Sequence, residues 1–328
     1  MIWQSLPRPF LMLAPLEGVA DTVFRQIVAS CAKPDLFVTE FTSADGFCSP
    51  GRKIVEENFV FTPIEQPLIA QIWGKNPGTV FETAKAIAGM GFAGLDLNMG
   101  CPDKTVMTHG GGAAMIETPE IAARVIQAAK DGINASGTDI PLSVKTRIGI
   151  KRINESWIPF LLEQGIDALT VHGRTAAELS KVPAHWDEIA KAVEIRNRMK
   201  VSTVIVGNGD VKDANDAMEK HRQYSVDGVM IGRGIFANLW AFDRSPVPHV
   251  ATPKELLAVM EQHIRLFSQT WAHKKNYAIL KKFYKIYVNG FHSATEWRVR
   301  CMATNSAEEI LAILDELNRA IEPQPMIQ

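Results

Sequence analysis

Eight short apolar runs, each separated from the next by enough chain for a helix, constrain this 328-residue sequence more than any other feature. They are Phe10–Leu16, Leu36–Phe41, Leu68–Gly74, Gly94–Asn98, Leu142–Arg147, Ala168–Arg174, Thr203–Gly207 and Gly228–Gly232. The runs are nearly continuous in apolar residues and do not alternate, which is the pattern of parallel strands covered on both faces. Helical patterns fill the gaps. Asn76-Pro77 reads as an N-cap with proline at the first helical position, followed by Val80, Ala84, Ile87 and Ala88 on one face. Thr118-Pro119-Glu120 opens another, with Ile121, Val125, Ile126 and Ala129 on its stripe. Trp157–Leu162, Glu188–Arg198 and Asp213–His221 supply three more. The alternation predicts a closed (β/α)8 TIM barrel. An open doubly wound sheet is the lesser alternative, since Ala14-Pro-Leu-Glu-Gly18 after the first strand is not a G-x-G-x-x-G turn.

The barrel accounts for residues 1–242. Residues 243–252, which include Ser245-Pro246 and Pro248-His249, read as a linker. Residues 253–328 carry helical patterns only and make a small all-helical domain. One helix starts at Thr252-Pro253 with Leu256, Leu257, Met260, Ile264 and Phe267 inward, and a second runs from Asn276 to Asn289. A third opens on the capping box Ser306–Glu309 and is lined by Ile310, Leu314, Leu317 and Ile321. The N-terminus has no signal-peptide pattern and no apolar run reaches membrane-spanning length, so no membrane association is expected. Cys31, Cys48, Cys101 and Cys301 form no C-x-x-C pair, which points away from zinc or iron–sulfur sites and toward a reduced, cytoplasmic setting. No metal site and no protein partner are implied.

Barrel enzymes keep their chemistry at the C-terminal ends of the strands. Here those ends carry Pro15-Leu16-Glu17, Glu40, Gln71, Asn98-Met-Gly-Cys101, Lys145 with Arg147, His172 with Arg174, Asn208-Gly209-Asp210 and Gly232-Arg233. The glycines after strands seven and eight sit where this fold binds phosphate, and Arg233 can pair with one. A phosphate beside Gln71, Lys145 and His172 suggests flavin mononucleotide (FMN). Gln71 suits the pyrimidine edge of the flavin, and Lys145 suits the negative charge that reduction brings. A Schiff-base lysine is the rival role for Lys145. Cys101 follows a strand end and precedes a glycine-rich loop, an exposed place where a thiol serves as nucleophile or general acid.

Taken together, these residues resemble the tRNA-dihydrouridine synthase family. The resemblance rests on Ala14-Pro-Leu-Glu-Gly-Val-Ala-Asp21 with Phe24-Arg25, Asp96-Leu-Asn-Met-Gly-Cys-Pro102 with Lys104, Val144-Lys-Thr-Arg147, Val171-His-Gly-Arg-Thr175, Asn208-Gly-Asp210 and Val229–Gly234. It implies an FMN enzyme that uses NADPH to reduce the C5=C6 bond of uridines in tRNA. Carried over, Pro15, Leu16, Glu17, Gln71, Lys145, His172, Asn208, Gly209, Asp210, Gly232 and Arg233 hold the flavin. Cys101 gives the proton to C5 after hydride reaches C6, and Asn98 contacts the uracil. The target base must leave its stack. The sequence departs from the family pattern after Thr175, where Glu178 and Ser180 stand near the places of a glutamine and a tyrosine.

Charge supports an RNA partner. From His263 to Arg300 there are eight Lys and Arg against Glu296 alone, a balance of +7 within a chain of net charge −1. A local basic patch of this kind attracts phosphate whatever the net charge. Lys281, Lys282 and Lys285, with Arg174 on the barrel, are the expected tRNA contacts. Eight aromatics interleave there, from Phe267 to Trp297, as core or as stacking platforms. The alternative function is an FMN barrel reductase acting on a small molecule, which leaves the basic helical tail unexplained. A barrel that binds RNA without catalysis, and a phosphosugar aldolase or isomerase, are weaker readings.

Overall fold

The computed structural model describes residues 2–272 and 274–321. All eight runs are parallel strands: β1 (Phe10–Leu13), β2 (Phe37–Ser43), β3 (Leu68–Trp73), β4 (Gly94–Met99), β5 (Leu142–Gly149), β6 (Ala168–Thr175), β7 (Val204–Asn208) and β8 (Gly228–Ile231). They follow one another around a single sheet, and β1 pairs with β8 from Phe10↔Gly228 to Leu13↔Ile231. The last seam, β1 to β2, is held by a bridge at Met12↔Leu36 and by Leu13 N–H donating to the Leu36 carbonyl at 3.2 Å. The result is a closed (β/α)8 barrel. β1 ends three residues earlier than the apolar run, because Pro15 has no N–H to continue the ladder and Gly18 turns the chain at φ 69°.

The barrel helices are α1 (Thr22–Ala32), α2 (Pro77–Ala88), α3 (Pro119–Ala135), α4 (Trp157–Glu163), α5 (Trp186–Met199) and α6 (Ala214–Tyr224). Their starts follow from capping chemistry. Asp21, Asn76 and Asp213 each accept a backbone N–H of the first turn. On α1 a buried ion pair fixes the chain beyond the helix. Arg25 Nε donates to Glu65 at 2.6 Å, and neither side chain is exposed at all. Arg25 also donates to the carbonyls of Ala20 at 2.6 Å and Val60 at 2.9 Å. Glu65 accepts from the Thr22 hydroxyl and the Thr62 N–H, both at 2.7 Å.

The barrel interior is divided along its axis. At the N-terminal ends Phe10, Met12, Val38, Ile69, Val206 and Met230 form an apolar layer, closed below by Trp3 from the short N-terminal helix Ile2–Ser5. Trp3 stands 5.8 Å, ring to ring, from Phe10. Two residues further along β2, β3 and β7 the positions become polar, at Glu40, Gln71 and Asn208. Strand alternation thus gives one element both an oily floor and a chemical rim.

After the segment 243–252 come α7 (Pro253–Trp271), α8 (Ala294–Ala303) and α9 (Ala307–Ile321). Leu257, Met260, Ile264 and Phe267 of α7 are buried as expected, whereas Leu256 is only half-buried. The expected helix Asn276–Asn289 is instead a 3-10 segment, Tyr277–Phe283, followed by a single α-turn, Tyr284–Tyr287. A three-residue period stacks Leu280 directly beneath Phe283, and both are buried. The box at Ser306 closes one residue off. Ser306 Oγ accepts from Glu309 N–H, but the Glu309 carboxylate accepts from Asn305 N–H. Phe267, Trp271, Phe283, Tyr284 and Tyr287 are core, so they are not free to stack on bases. Tyr277, Phe291 and Trp297 are half-buried. No helix among the described residues is long and apolar enough to cross a membrane.

Candidate active site

The C-terminal ends of the strands enclose a cleft of about 670 Å³. Its walls include Pro15, Leu16, Asn98, Cys101, Lys145, His172, Arg174, Asn208, Gly209, Asp210, Gly232 and Arg233. Twelve of the residues expected to hold the flavin, donate the proton or contact the substrate therefore share one cavity. Phe41, Arg147, Leu179, Ser180 and Lys212 join them. Arg147 follows from strand alternation two residues past Lys145. Phe41 and Lys212 carry no local signal that marks them.

Strand register explains the convergence. Asn98 lies opposite Lys145, Arg147 opposite His172, and His172 opposite Asn208. The cleft is consequently cationic. Lys145, Arg147, Arg174, Lys212 and Arg233 face it, against the single carboxylate of Asp210. Burial, and then the neighbouring Arg147, push the Lys145 ammonium down to about 8, so it is still charged at neutral pH. Burial and the cations Lys145, Arg147, Arg174 and Arg233 hold His172 far below its ordinary value, so it is a neutral imidazole. Burial is also the main cause that pushes the half-buried Cys101 thiol up; the Asp103 backbone N–H opposes it, the Asp103 charge adds to it, and Lys145 and Arg147 oppose it. The thiol therefore keeps its proton at neutral pH.

Some of the residues singled out from the sequence lie elsewhere or already have protein partners. Gln71 does not line the cleft. It is wholly buried one layer deeper, donating to Asp96 at 2.7 Å and accepting from Asn98 at 3.2 Å. Glu17 lies outside the cleft wall, on the side of the mouth that faces the helical segment. Its side chain is partly open to solvent, yet surrounding protein and the Glu40 carboxylate raise its carboxyl to about 7. Arg174 is 2% exposed, and its guanidinium is spent on Asp210, the Val182 carbonyl at 2.7 Å and His172 at 3.3 Å. These bonds order the cleft wall, and Arg174 remains part of its lining. Lys281 donates to the Met302 carbonyl at 2.9 Å, and Lys282 donates to the Gly18 carbonyl. Lys281 is half-buried, whereas Lys282 and Lys285 are exposed. The helical segment is further tied to the barrel where Trp271 Nε1 donates to Asp21 at 2.8 Å, with Lys275 3.6 Å from the same carboxylate. Near the mouth, Glu178 turns inward to accept from Thr175 N–H at 2.7 Å and pairs with His185 at 2.9 Å.

The residues present fit a flavin mononucleotide. Gly209 has φ 132°, and a side chain there would stand 2.6 Å from Ala184 Cβ, so only glycine passes between strand end and loop. A Cβ on Gly232 would fill the space beside Ala14, 3.7 Å away. Arg233, 60% exposed, reaches Asp210 at 3.0 Å and is placed to meet a phosphate. Five cations around one acid suit a ligand that carries a phosphate and gains negative charge on reduction. No group of three or more His, Cys, Asp or Glu that could hold a metal occurs among the described residues.

A barrel with this rim is a flavin-dependent oxidoreductase of the (β/α)8 class. The comparison with known proteins narrows that class: the family model described as dihydrouridine synthase (Dus) matches residues 12–322. The chain belongs to that family. It is 42% identical over 321 residues to the probable tRNA-dihydrouridine synthase 2 of Bacillus subtilis, covering 97% of this chain and 96% of that protein. It is 42% identical over 330 residues to a probable tRNA-dihydrouridine synthase of Staphylococcus aureus strain COL, covering 99% and 98%. A Staphylococcus epidermidis protein of the same description is 42% identical over 317 residues, with 95% of each chain covered.

Proposed function

We propose that this chain reduces the C5=C6 bond of uridine in tRNA, with FMN as bound carrier and NAD(P)H as reductant, and that Cys101 is the proton donor. The single observation that carries the residue assignment is the half-buried, protonated Cys101 thiol on the rim of a cationic cleft. Bound in this cleft, FMN would supply hydride transfer from NAD(P)H to C6 of the uracil.

The chain's own groups do the rest. Arg233 and the backbone of Asn208, Gly209 and Gly232 hold the phosphate. Lys145, charged at neutral pH, offsets the negative charge that reduction brings. Neutral His172 donates or accepts without adding charge. Asn98 faces the base. Cys101 holds a proton and gives it to C5, since a thiol with a raised pKa stays protonated where an ordinary carboxyl would not. Residues 253–328 form the tRNA-binding domain, with Lys285 and the basic positions around it meeting phosphates. Residues 322–328 of that segment lie outside the described residues. The cytoplasm, where tRNA is modified, is the natural setting, and four free cysteines agree with it.

Incubation of the purified protein with NADPH and unmodified tRNA, followed by nuclease digestion and mass spectrometry, tests the reading. A gain of two hydrogens at a defined uridine is expected. Cys101→Ala is expected to keep its flavin and lose the product. Flavin reduction without dihydrouridine on tRNA from synthase-deficient cells would favour a small-molecule reductase. Full turnover by Cys101→Ala would move the proton donor elsewhere.

A further inference from the structure

Asp96 has no part in the reading so far. It is 3% exposed and lies inside the barrel, one layer beneath the cleft, within reach of the Lys145 charge. Register places it between Gln71 on β3 and Ser143 on β5. One carboxylate oxygen accepts from Gln71 Nε2 at 2.7 Å, and the other accepts from Ser143 Oγ at 2.6 Å. From Gln71 the bonds continue upward. Gln71 Oε1 accepts from Asn98 Nδ2 at 3.2 Å. Asn98 Oδ1 accepts from the backbone N–H groups of Gly100 at 3.1 Å and Cys101 at 2.9 Å.

The chemistry of these groups gives the chain a direction. A carboxamide is nearly symmetric in shape, so only its partners decide which end is oxygen. An ionised carboxylate can only accept. Asp96 therefore draws the NH2 of Gln71 toward itself, which turns the Gln71 oxygen to Asn98. That in turn draws the Asn98 NH2 down and leaves its oxygen facing the Gly100 and Cys101 amides. With the root reversed, Asn98 would present a donor to two donors, and the Gly100–Cys101 backbone would lose both bonds. Each link is buried or half-buried, where an unmade hydrogen bond is costly.

We propose that Asp96 is a positioning residue for uridine reduction: it sets the orientation of the Gln71 and Asn98 amides and thereby holds the backbone that presents the Cys101 thiol. The inference rests on the assignment of Cys101 as proton donor, and its test separates the two.

Asp96→Leu removes the root acceptor at similar volume, and Asp96→Asn keeps one accepting oxygen beside a competing donor. Two readouts are taken on flavin-loaded protein. The first is amide hydrogen exchange at Gly100 and Cys101, which reads the chain without any reaction. Exchange is expected to quicken by about tenfold or more in Asp96→Leu, with Asp96→Asn between it and wild type. The second separates the half-reactions by rapid mixing. Oxidation of pre-reduced enzyme by tRNA is expected to slow on the order of 100-fold in Asp96→Leu and about tenfold in Asp96→Asn, because a misplacement of about 1 Å has effects of that size. Flavin reduction by NADPH is expected to stay within about threefold of wild type. Unchanged exchange, an equal fall in both half-reactions, or an Asn variant no better than the Leu variant would overturn the proposal. If Asp96→Leu does not fold, wild-type exchange and wild-type tRNA oxidation in Asp96→Asn overturn it alone. Cys101→Ala, run alongside, reads the other assignment. Normal tRNA oxidation there with fast exchange in Asp96→Leu would sink the proton donor while upholding the chain of bonds.

Discussion

The buried pair Arg25–Glu65 offers the sharpest stability test. In Glu65→Gln the side chain keeps its shape but loses its charge, and its NH2 end must face either the Arg25 Nε–H or the Thr62 N–H, neither of which can accept. Arg25 cannot swing out to water, because its other nitrogens are bound to the Ala20 and Val60 carbonyls and no part of it is exposed. Breaking a buried pair in this way costs about 3–5 kcal/mol, since an uncompensated charge stays behind. At about 2–4 °C per kcal/mol for a large domain, the melting temperature should fall by about 6–20 °C. The control is the same change at Glu56, whose 2.5 Å pair with Arg52 leaves 48% and 35% of the two side chains exposed. A surface pair is worth about 0–1 kcal/mol, so Glu56→Gln should melt within about 4 °C of wild type. Differential scanning calorimetry of the three proteins at matched flavin content decides it. A Glu65→Gln protein that melts as wild type does, or a Glu56→Gln protein that falls as far, would refute the reasoning.

Other measurements probe the cleft. Arg233→Ala should weaken FMN binding about 10- to 100-fold, the worth of a charge-assisted hydrogen bond to phosphate, as read by flavin fluorescence titration; retention of wild-type affinity would move the phosphate elsewhere. Gly209→Val should purify with little flavin, because its Cβ would meet Ala184 at 2.6 Å, and full flavin content would contradict the close approach. Burial raises the Cys101 thiol, so its thiolate is scarce at neutral pH and grows as pH rises. Its alkylation by iodoacetamide should keep accelerating above pH 8, and a rate already level below pH 8 would contradict the shift. Lys285→Ala should lower the slope of log affinity for tRNA against log salt by about 0.7–0.9, the share of one phosphate contact; an unchanged slope would take Lys285 off the RNA surface.

Much of this was legible in the sequence, for physical reasons that also mark where legibility stops. Parallel strands buried on both faces must be apolar throughout, so all eight stood out, and their C-terminal ends placed twelve site residues in one cavity. What depends on partners far along the chain did not stand out. Arg174 has the right alternation to face the cleft, and its pairing with Asp210, 36 residues on, is a contact that no local pattern announces. Lys282 sits in a basic run that suits RNA, yet it reaches Gly18 on the opposite element. The 3-10 segment at Tyr277–Phe283 has a period too close to 3.6 to be told from an α-helix over seven residues. Helix α8 has neither a side-chain N-cap bond nor a clear apolar stripe, with only Ala294 and Cys301 buried. Asp96 stood in plain view beside Asn98, and its inward alternation was the available signal.

The Trp3 plug has a kinetic consequence. With the floor of the barrel filled by Trp3 and Phe10, the cleft has no rear entrance, and everything that reaches a bound flavin must come through the mouth between Pro15, Cys101 and Arg233. With a flavin bound in the cleft, a nicotinamide and a flipped nucleotide would have to reach the same ring through the same mouth. Donor and acceptor must therefore take turns. Initial-rate plots against one substrate at several levels of the other should be parallel lines, and each substrate in excess should obstruct the other's turn.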